Sequence, residues 1–444
     1  MNRVLFLVLI FTQYNLLGQH LPKQVLLDDL RYLNEAVVNG HPVNSFPTRQ
    51  FNITSVIAEA AKLSKDSISP LEYTRWIKKG IFHIGCIHTS INDNPLLAEK
   101  RNTLYLPLTV LVTQEGLMIT GCIDSSKVNQ VITKVNGIEA DSIIQVYAFY
   151  RASDGGSDAF SREYFHYNSS RLVPLLLNNP KRYNIKTIND EFSLDAQSTI
   201  FLKQPEISNA SSPLKNKNNA LLSIGGFDIL KVNSFSKSDK RFYAKVFKRL
   251  NQIQSKKLLV DLRGNIGGNR KAAIALTAYL ADSTFGYAIL QPKKLKTSKY
   301  LNGKGKFYLL LSKLKYNVGH FYKRKGTPLG GKYTYSSKPK KKYHYTGKIY
   351  VLTDGFTASA STMVTSWLKQ HANATFMGTQ SGGGYNGNNG GSFPLISLPN
   401  SGIEITFPAY RIILDEQSSQ YTGITPEIVL DTHSDLEDII KDLE

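Results

Sequence analysis

Hydrophobic spacing changes character three times along the chain. Leu26, Leu27, Leu30, Leu33 and Val37 recur at steps of three and four, and a second set runs through 57–63. That spacing predicts amphipathic helices between 22 and 80. Pro70 opens a third helical stretch, where a first turn tolerates proline. The run Gly85-Cys-Ile-His88-Thr-Ser-Ile91 breaks the pattern. From about 104 the apolar runs shorten into predicted strands at 104–112, 117–122 and 131–135. Asn136-Gly137 marks a tight turn, and 143–147 a short helix. Residues 203–219 are polar and without period, as in a linker. Beyond 220, strand and helix alternate: strands at 229–232, 258–262, 349–353 and 375–378, helices at 238–254, 272–281 and 359–371, then strand pairs near 393–398 and 403–413. Such alternation predicts an α/β domain with a largely parallel sheet, its crevice at the carboxyl ends of the strands.

At 444 residues the chain exceeds one ordinary core. Residues 1–18 read as a signal peptide: Met1-Asn-Arg3, an apolar run to Phe11, and small Gly18 before Gln19. No later segment is long and apolar enough to span a bilayer. The expectation is a periplasmic or secreted protein, not transmembrane after signal removal. Two cysteines, Cys86 and Cys122, supply neither a disulfide framework nor a metal-ligand spacing. No metal and no cofactor is expected.

The net charge of +20 is concentrated in an insertion, 291–347. Residues 291–350 hold seventeen Lys or Arg and no acid, interleaved with Tyr and Phe. An exported protein does not meet nucleic acid as its ordinary target, so an anionic surface or acidic ligand is the partner class this segment suggests. A solvated basic insertion with no dedicated partner would read the same way.

Three clusters fall at predicted strand ends. Asp261-Leu-Arg-Gly-Asn-Ile-Gly-Gly268 carries glycines that let consecutive N–H groups face one oxygen. It lacks the Lys-Ser/Thr of a phosphate-binding loop. Gly355-Phe-Thr-Ala-Ser-Ala-Ser-Thr-Met-Val364 puts hydroxyls at a strand-to-helix turn, where a serine either caps the helix or attacks with free N–H groups beside it. Gly378-Thr-Gln-Ser-Gly-Gly-Gly-Tyr-Asn-Gly-Asn-Asn-Gly-Gly391 reads as a mobile loop.

In this order the three clusters resemble the C-terminal processing (tail-specific) serine peptidases, and Tyr421-Thr-Gly-Ile-Thr-Pro-Glu427-Ile-Val resembles that family's ending. The resemblance covers 220–431, with 22–200 fitting more loosely. It implies an α/β, ClpP/crotonase-like protease core (220–435), an N-terminal helical region (22–100) and a PDZ-like β-rich module (101–200), the last on Val131-Ile-Thr-Lys-Val-Asn-Gly-Ile138. It implies Ser359 as nucleophile, with Ser361 as the adjacent alternative. The oxyanion donors would be Ala360 and either Gly267 or Gly268. The lysine base of one branch should lie twenty-five positions past the serine; Gly384 stands there, and no Lys lies between His371 and Arg411. The tricorn-like branch uses a histidine in a Gly-Asp-x-His-Thr frame, matched by Gly85-Cys-Ile-His88-Thr89 with Cys86 replacing Asp. His88 is thus the implied base, and His83 the weaker choice. An acid about sixty positions past the serine points to Asp415 and Glu416. The implied function is an exported serine endopeptidase acting on peptide or protein substrates. A catalytically inactive peptide- or ligand-binding relative is the other reading, kept open by Cys86, by Gly384 and by Thr362, which stands where the family often has Glu.

Overall fold

The computed structural model describes residues 20–45, 51–94, 104–113, 115–148, 151–177, 179–199, 214–290, 300–301, 303–307, 309–311 and 332–441. The expected signal peptide, most of the linker and most of the basic insertion lie outside these residues.

The centre is a seven-stranded sheet. Its order is Leu214–Lys215, Asn219–Ile224, Phe227–Val232, Lys257–Asp261, Lys348–Thr353, Ala374–Gly378 and Ile428–Val429. From Phe227–Val232 onward every neighbouring pair is parallel. The middle strands are apolar on both faces, as parallel strands covered by helices must be. Helices Asp239–Gln252, Arg270–Leu280 and Ala360–His371 share one core with one face. Helix Leu436–Lys441 packs on the other. Leu214–Lys215, expected at the end of the linker, is instead a strand, hairpinned onto Ala220 and Leu221.

Helices Lys23–Gly40, Thr54–Ala61 and Pro70–His83 form the N-terminal region. Ser69 caps the third by accepting from Glu72 N–H, and Pro70 follows it. The apolar face read from sequence is buried, but against later chain: Leu26, Leu30 and Leu33 share a core with Ile396, Ile405, Phe407 and Tyr410. Buried Asp29 joins the two parts, accepting from the amides of Asn400 and Ser401 and from the Tyr73 hydroxyl.

Residues 104–199 build a separate antiparallel sheet: Leu108–Val112, Leu117–Cys122, Val131–Val135, Arg182–Thr187 and Glu191–Asp195, in that order. Asn136 and Gly137 both have positive φ, as the two-residue hairpin turn requires. Helix Ala159–Leu176 covers this sheet and carries its amino end to the turn after strand Lys348–Thr353.

The glycine-rich stretch 378–391 is not a mobile loop. Its residues 381–384 and 386–390 are buried, and Gly387–Gly390 is a strand paired with Tyr410–Ile413. Its glycines serve close packing: a Cβ on Gly382 would stand 2.2 Å from the Gly355 carbonyl oxygen, and one on Gly387 2.1 Å from that of Ile412. The carboxyl end of the basic insertion is also structured, with Lys332–Ser337 pairing antiparallel to Phe285–Leu290.

Candidate active site

The turn after strand Lys348–Thr353 is held by one buried carboxylate. Asp354 accepts from the amides of Phe356 and Thr357 within the turn, and from Gly264 N–H of the neighbouring loop. Burial pushes its pKa up to about 6, against those donors. The Thr357 hydroxyl donates to the Leu262 carbonyl, and Ala358 N–H donates to that of Asn265. Serine turn and glycine loop are therefore one unit.

Ser359 stands at the start of helix Ala360–His371 with φ 56° and ψ −115°. A non-glycine residue held there is strained, and such strain gathers at functional positions. Its hydroxyl makes no capping hydrogen bond, so capping does not explain it. Ser361 is fully buried. Gly267 lies directly over Ser359, with φ +107°; a Cβ there would be 2.7 Å from Ser359 Cβ and 2.8 Å from Ala360 N. Gly267 N–H donates to Asn265 Oδ1, while the amides of Gly268 and Ala360 have no hydrogen-bond partner among the described residues. Asn265 is in turn fixed by donating to the Val232 carbonyl. Asp261, where the loop leaves its strand, is gripped at both oxygens by Arg263, which also donates to the Thr432 and Ser434 carbonyls. Burial would raise Asp261, but Arg263 and Lys231 outweigh it and hold the carboxyl below its usual range.

His88 follows a turn at Gly85 (φ 62°) that ends the helical region. Ile87 and Ala358, which precede His88 and Ser359, share one small buried cluster with Phe160. The segments that carry His88 and Ser359 are thereby packed together. His88 is half-buried, stacks on Phe393 at 5.4 Å, and has an unpartnered buried Nδ1. Burial first, and the Arg151 charge second, lower its pKa to about 4. The imidazole is thus neutral around pH 7 and able to accept a proton.

Sequence reasoning did not single out Asp154. One of its carboxylate oxygens, a His88 ring nitrogen and Cys86 Sγ all lie within 4.8 Å of one another. Asp154 accepts from Ile87 N–H and Gly384 N–H, and donates its own amide to the Gly382 carbonyl. It couples the histidine segment to the loop behind the serine. Burial pushes its pKa up to about 6, with Arg411 opposing. The available signal was Ser153-Asp-Gly-Gly156, where both glycines take positive φ. Asn388, also missed, donates to the Ser359 carbonyl at 3.4 Å. Asn389 hydrogen-bonds Cys86.

The other expected acids have partners of their own. Asp415 accepts from the amides of Gln417 and Ser418 and interacts with Tyr385; Glu416 pairs with Lys332. His83 sits in the last turn of its helix, edge-on to Phe82. Cys86 and Cys122 are free, buried thiols.

Comparison with solved structures finds the same fold across nearly the whole chain. A mutant of CPAF matches with TM-score 0.63 and 13% identity, over 92% of this chain and 93% of that one. Mature CPAF complexed with lactacystin matches with TM-score 0.59 and 13% identity, over 92% and 94%. No curated protein sequence matches. Residues 227–430, from strand Phe227–Val232 to the last strand of the central sheet, match the model of peptidase family S41. Residues 227–430 therefore carry a domain similar to peptidase family S41, and the chain is a serine peptidase.

Proposed function

We propose that the protein is an exported endopeptidase that cleaves peptide bonds through an acyl-enzyme on Ser359, with His88 as general base. The observation that supports this reading is the shared packing of Ile87 and Ala358, the residues that precede His88 and Ser359. Neutral His88 takes the Ser359 proton as Oγ attacks the scissile carbonyl. The resulting oxyanion receives the amides of Ala360 and Gly268, while Gly267 leaves room for it. The C–N bond then breaks, His88 returns the proton to the leaving amine, and water releases the acyl group by the same route. The carboxylate we assign to His88 is Asp154, in preference to Asp415 or Glu416. Its closeness to the ring supports this, and the other two are engaged in their own turn and in an ion pair.

The antiparallel module would present substrate by strand addition, as PDZ domains do. The basic insertion would meet an anionic surface; binding to anionic liposomes that persists after its deletion would refute that role.

A fluorophosphonate probe tests the chemistry. Wild type should label, Ser359→Ala should not, and His88→Ala should label far more slowly. Folded wild type that fails to label would overturn the assignment.

A further inference from the structure

Cys86 has no part in the mechanism above, yet it lies beside groups that do. Its Sγ, a His88 ring nitrogen and an Asp154 carboxylate oxygen stand within 4.8 Å of one another. Cys86 and Asp154 are buried, so the half-buried His88, stacked on the exposed Phe393, is the member of the cluster that solvent reaches. Backbone contacts pin the two segments together: Gly155 N–H donates to the Gly85 carbonyl, and Ile87 N–H to Asp154 Oδ1. The side chains of Thr89 and Asn389 hydrogen-bond Cys86. Two polar atoms here, His88 Nδ1 and Asn389 Oδ1, are buried with no hydrogen-bond partner among the described residues. A buried polar atom left so costs free energy, which a ligand recovers.

Thiol, imidazole and carboxylate form a donor set of mixed softness. Zinc accepts all three, whereas Mg²⁺ and Ca²⁺ take oxygen ligands. Donor atoms sharing one tetrahedral zinc lie about 3.4–3.6 Å apart, given bonds of about 2.0–2.3 Å. From 4.8 Å the cluster closes onto an ion by at most about 1.4 Å. Thiolate and carboxylate together cancel the charge of Zn²⁺. The Arg151 and Arg411 charges felt at His88 and Asp154 therefore meet no added net positive charge.

We propose that Cys86, His88 and Asp154 form an inhibitory zinc site. Binding replaces the S–H bond by an S–Zn bond and releases the thiol proton to water; nothing is oxidised. A neutral imidazole has one basic nitrogen, and a metal bound there leaves the other carrying the proton. Zinc-bound His88 cannot then take the Ser359 proton. The inhibition rests on the peptidase reading of Ser359 and His88, whereas the metal site does not.

Titration of the full-length, chelator-treated protein with Co²⁺ tests the site. Co²⁺ substitutes for zinc and reports a cysteine ligand as a thiolate-to-metal absorption band. The band should saturate at a single Co²⁺ per chain, be displaced by Zn²⁺, vanish in Cys86→Ser and persist in Cys122→Ser. Asp154→Asn should keep the band but weaken Co²⁺ binding at least about tenfold. Fluorophosphonate labelling reads the inhibition: Zn²⁺ should slow it in wild type and a chelator restore it. Cys86→Ser should label at the wild-type rate without metal and need at least about tenfold more zinc for the same slowing. A band that survives Cys86→Ser, or labelling unmoved by zinc in protein that shows the band, overturns the proposal. If Cys86→Ser misfolds, Asp154→Asn decides, and unchanged Co²⁺ affinity there overturns it. Metal-free wild type that shows the band on adding Co²⁺ but never labels strikes the peptidase reading, and with it the inhibition but not the metal site.

Discussion

Gly267 stands so close over Ser359 that a single methyl group cannot fit between them: its Cβ would lie 2.7 Å from Ser359 Cβ and 2.9 Å from the Ala358 carbonyl oxygen. In the proposed mechanism the oxyanion forms in the space that a side chain would take. Gly267→Ala should therefore lower kcat by at least about a hundredfold, the scale of losing one oxyanion donor. The positive φ adds a stability cost on the order of 1–3 kcal/mol. Steady-state kinetics beside a denaturant melt separate the two effects. Wild-type kcat in the folded variant would refute the assignment.

His88→Ala should reduce kcat/KM by about 10²–10⁴-fold, the contribution of a positioned general base. The loss should appear in acylation, read as the rate of covalent labelling. An ordinary labelling rate in this variant would move the base elsewhere.

The pH profile should have two acid limbs. His88 must be neutral to accept the proton, and its lowered pKa keeps it so down to about 4. Asp154, raised to about 6, is ionised and able to stabilise the imidazolium only above that value. Activity should fall first as Asp154 protonates and again as His88 protonates. Asp154→Asn should remove the step near 6 while leaving the one near 4. A single limb at an ordinary histidine pKa, in wild type and variant alike, would contradict the arrangement.

Arg263→Ala should be among the most destabilising single changes in the domain. It strips the guanidinium from the carboxylate of Asp261, which is 0% exposed, leaving Lys231 at 3.9 Å and the residue 263 amide, and orphans the Thr432 and Ser434 carbonyls. Breaking a buried pair on one side costs about 3–5 kcal/mol. Urea unfolding should show that loss. Asp261→Asn with Arg263→Ala, which removes the buried charge too, should recover part of it.

Local chemistry made the core legible. The alternation after 220 predicted the parallel strands, because apolar runs covered on both faces leave a plain mark in sequence. Glycine and hydroxyl placement at strand ends marked the 261–268 loop and the 355–364 turn, while the choice of Ser359 and of Gly267 or Gly268 within them came from the family resemblance. The partner of His88 could not. Asp154 lies in a short glycine turn of another module, and only tertiary packing carries it to the histidine. The run 378–391 misled for a related reason: glycines that permit mobility in water equally permit backbone to pack against backbone. Whether Leu26 and Leu30 face an N-terminal core or the distant Ile405 is likewise invisible to periodicity, which reports a buried face but not what covers it.

Strand Ser90–Asp93, just past His88, is completed by Glu404–Thr406, with Ile91 opposite Ile405. The ribosome makes that partner after both His88 and Ser359. A growing chain therefore holds the segments of His88 and Ser359 before it holds the strand that completes the sheet beside His88.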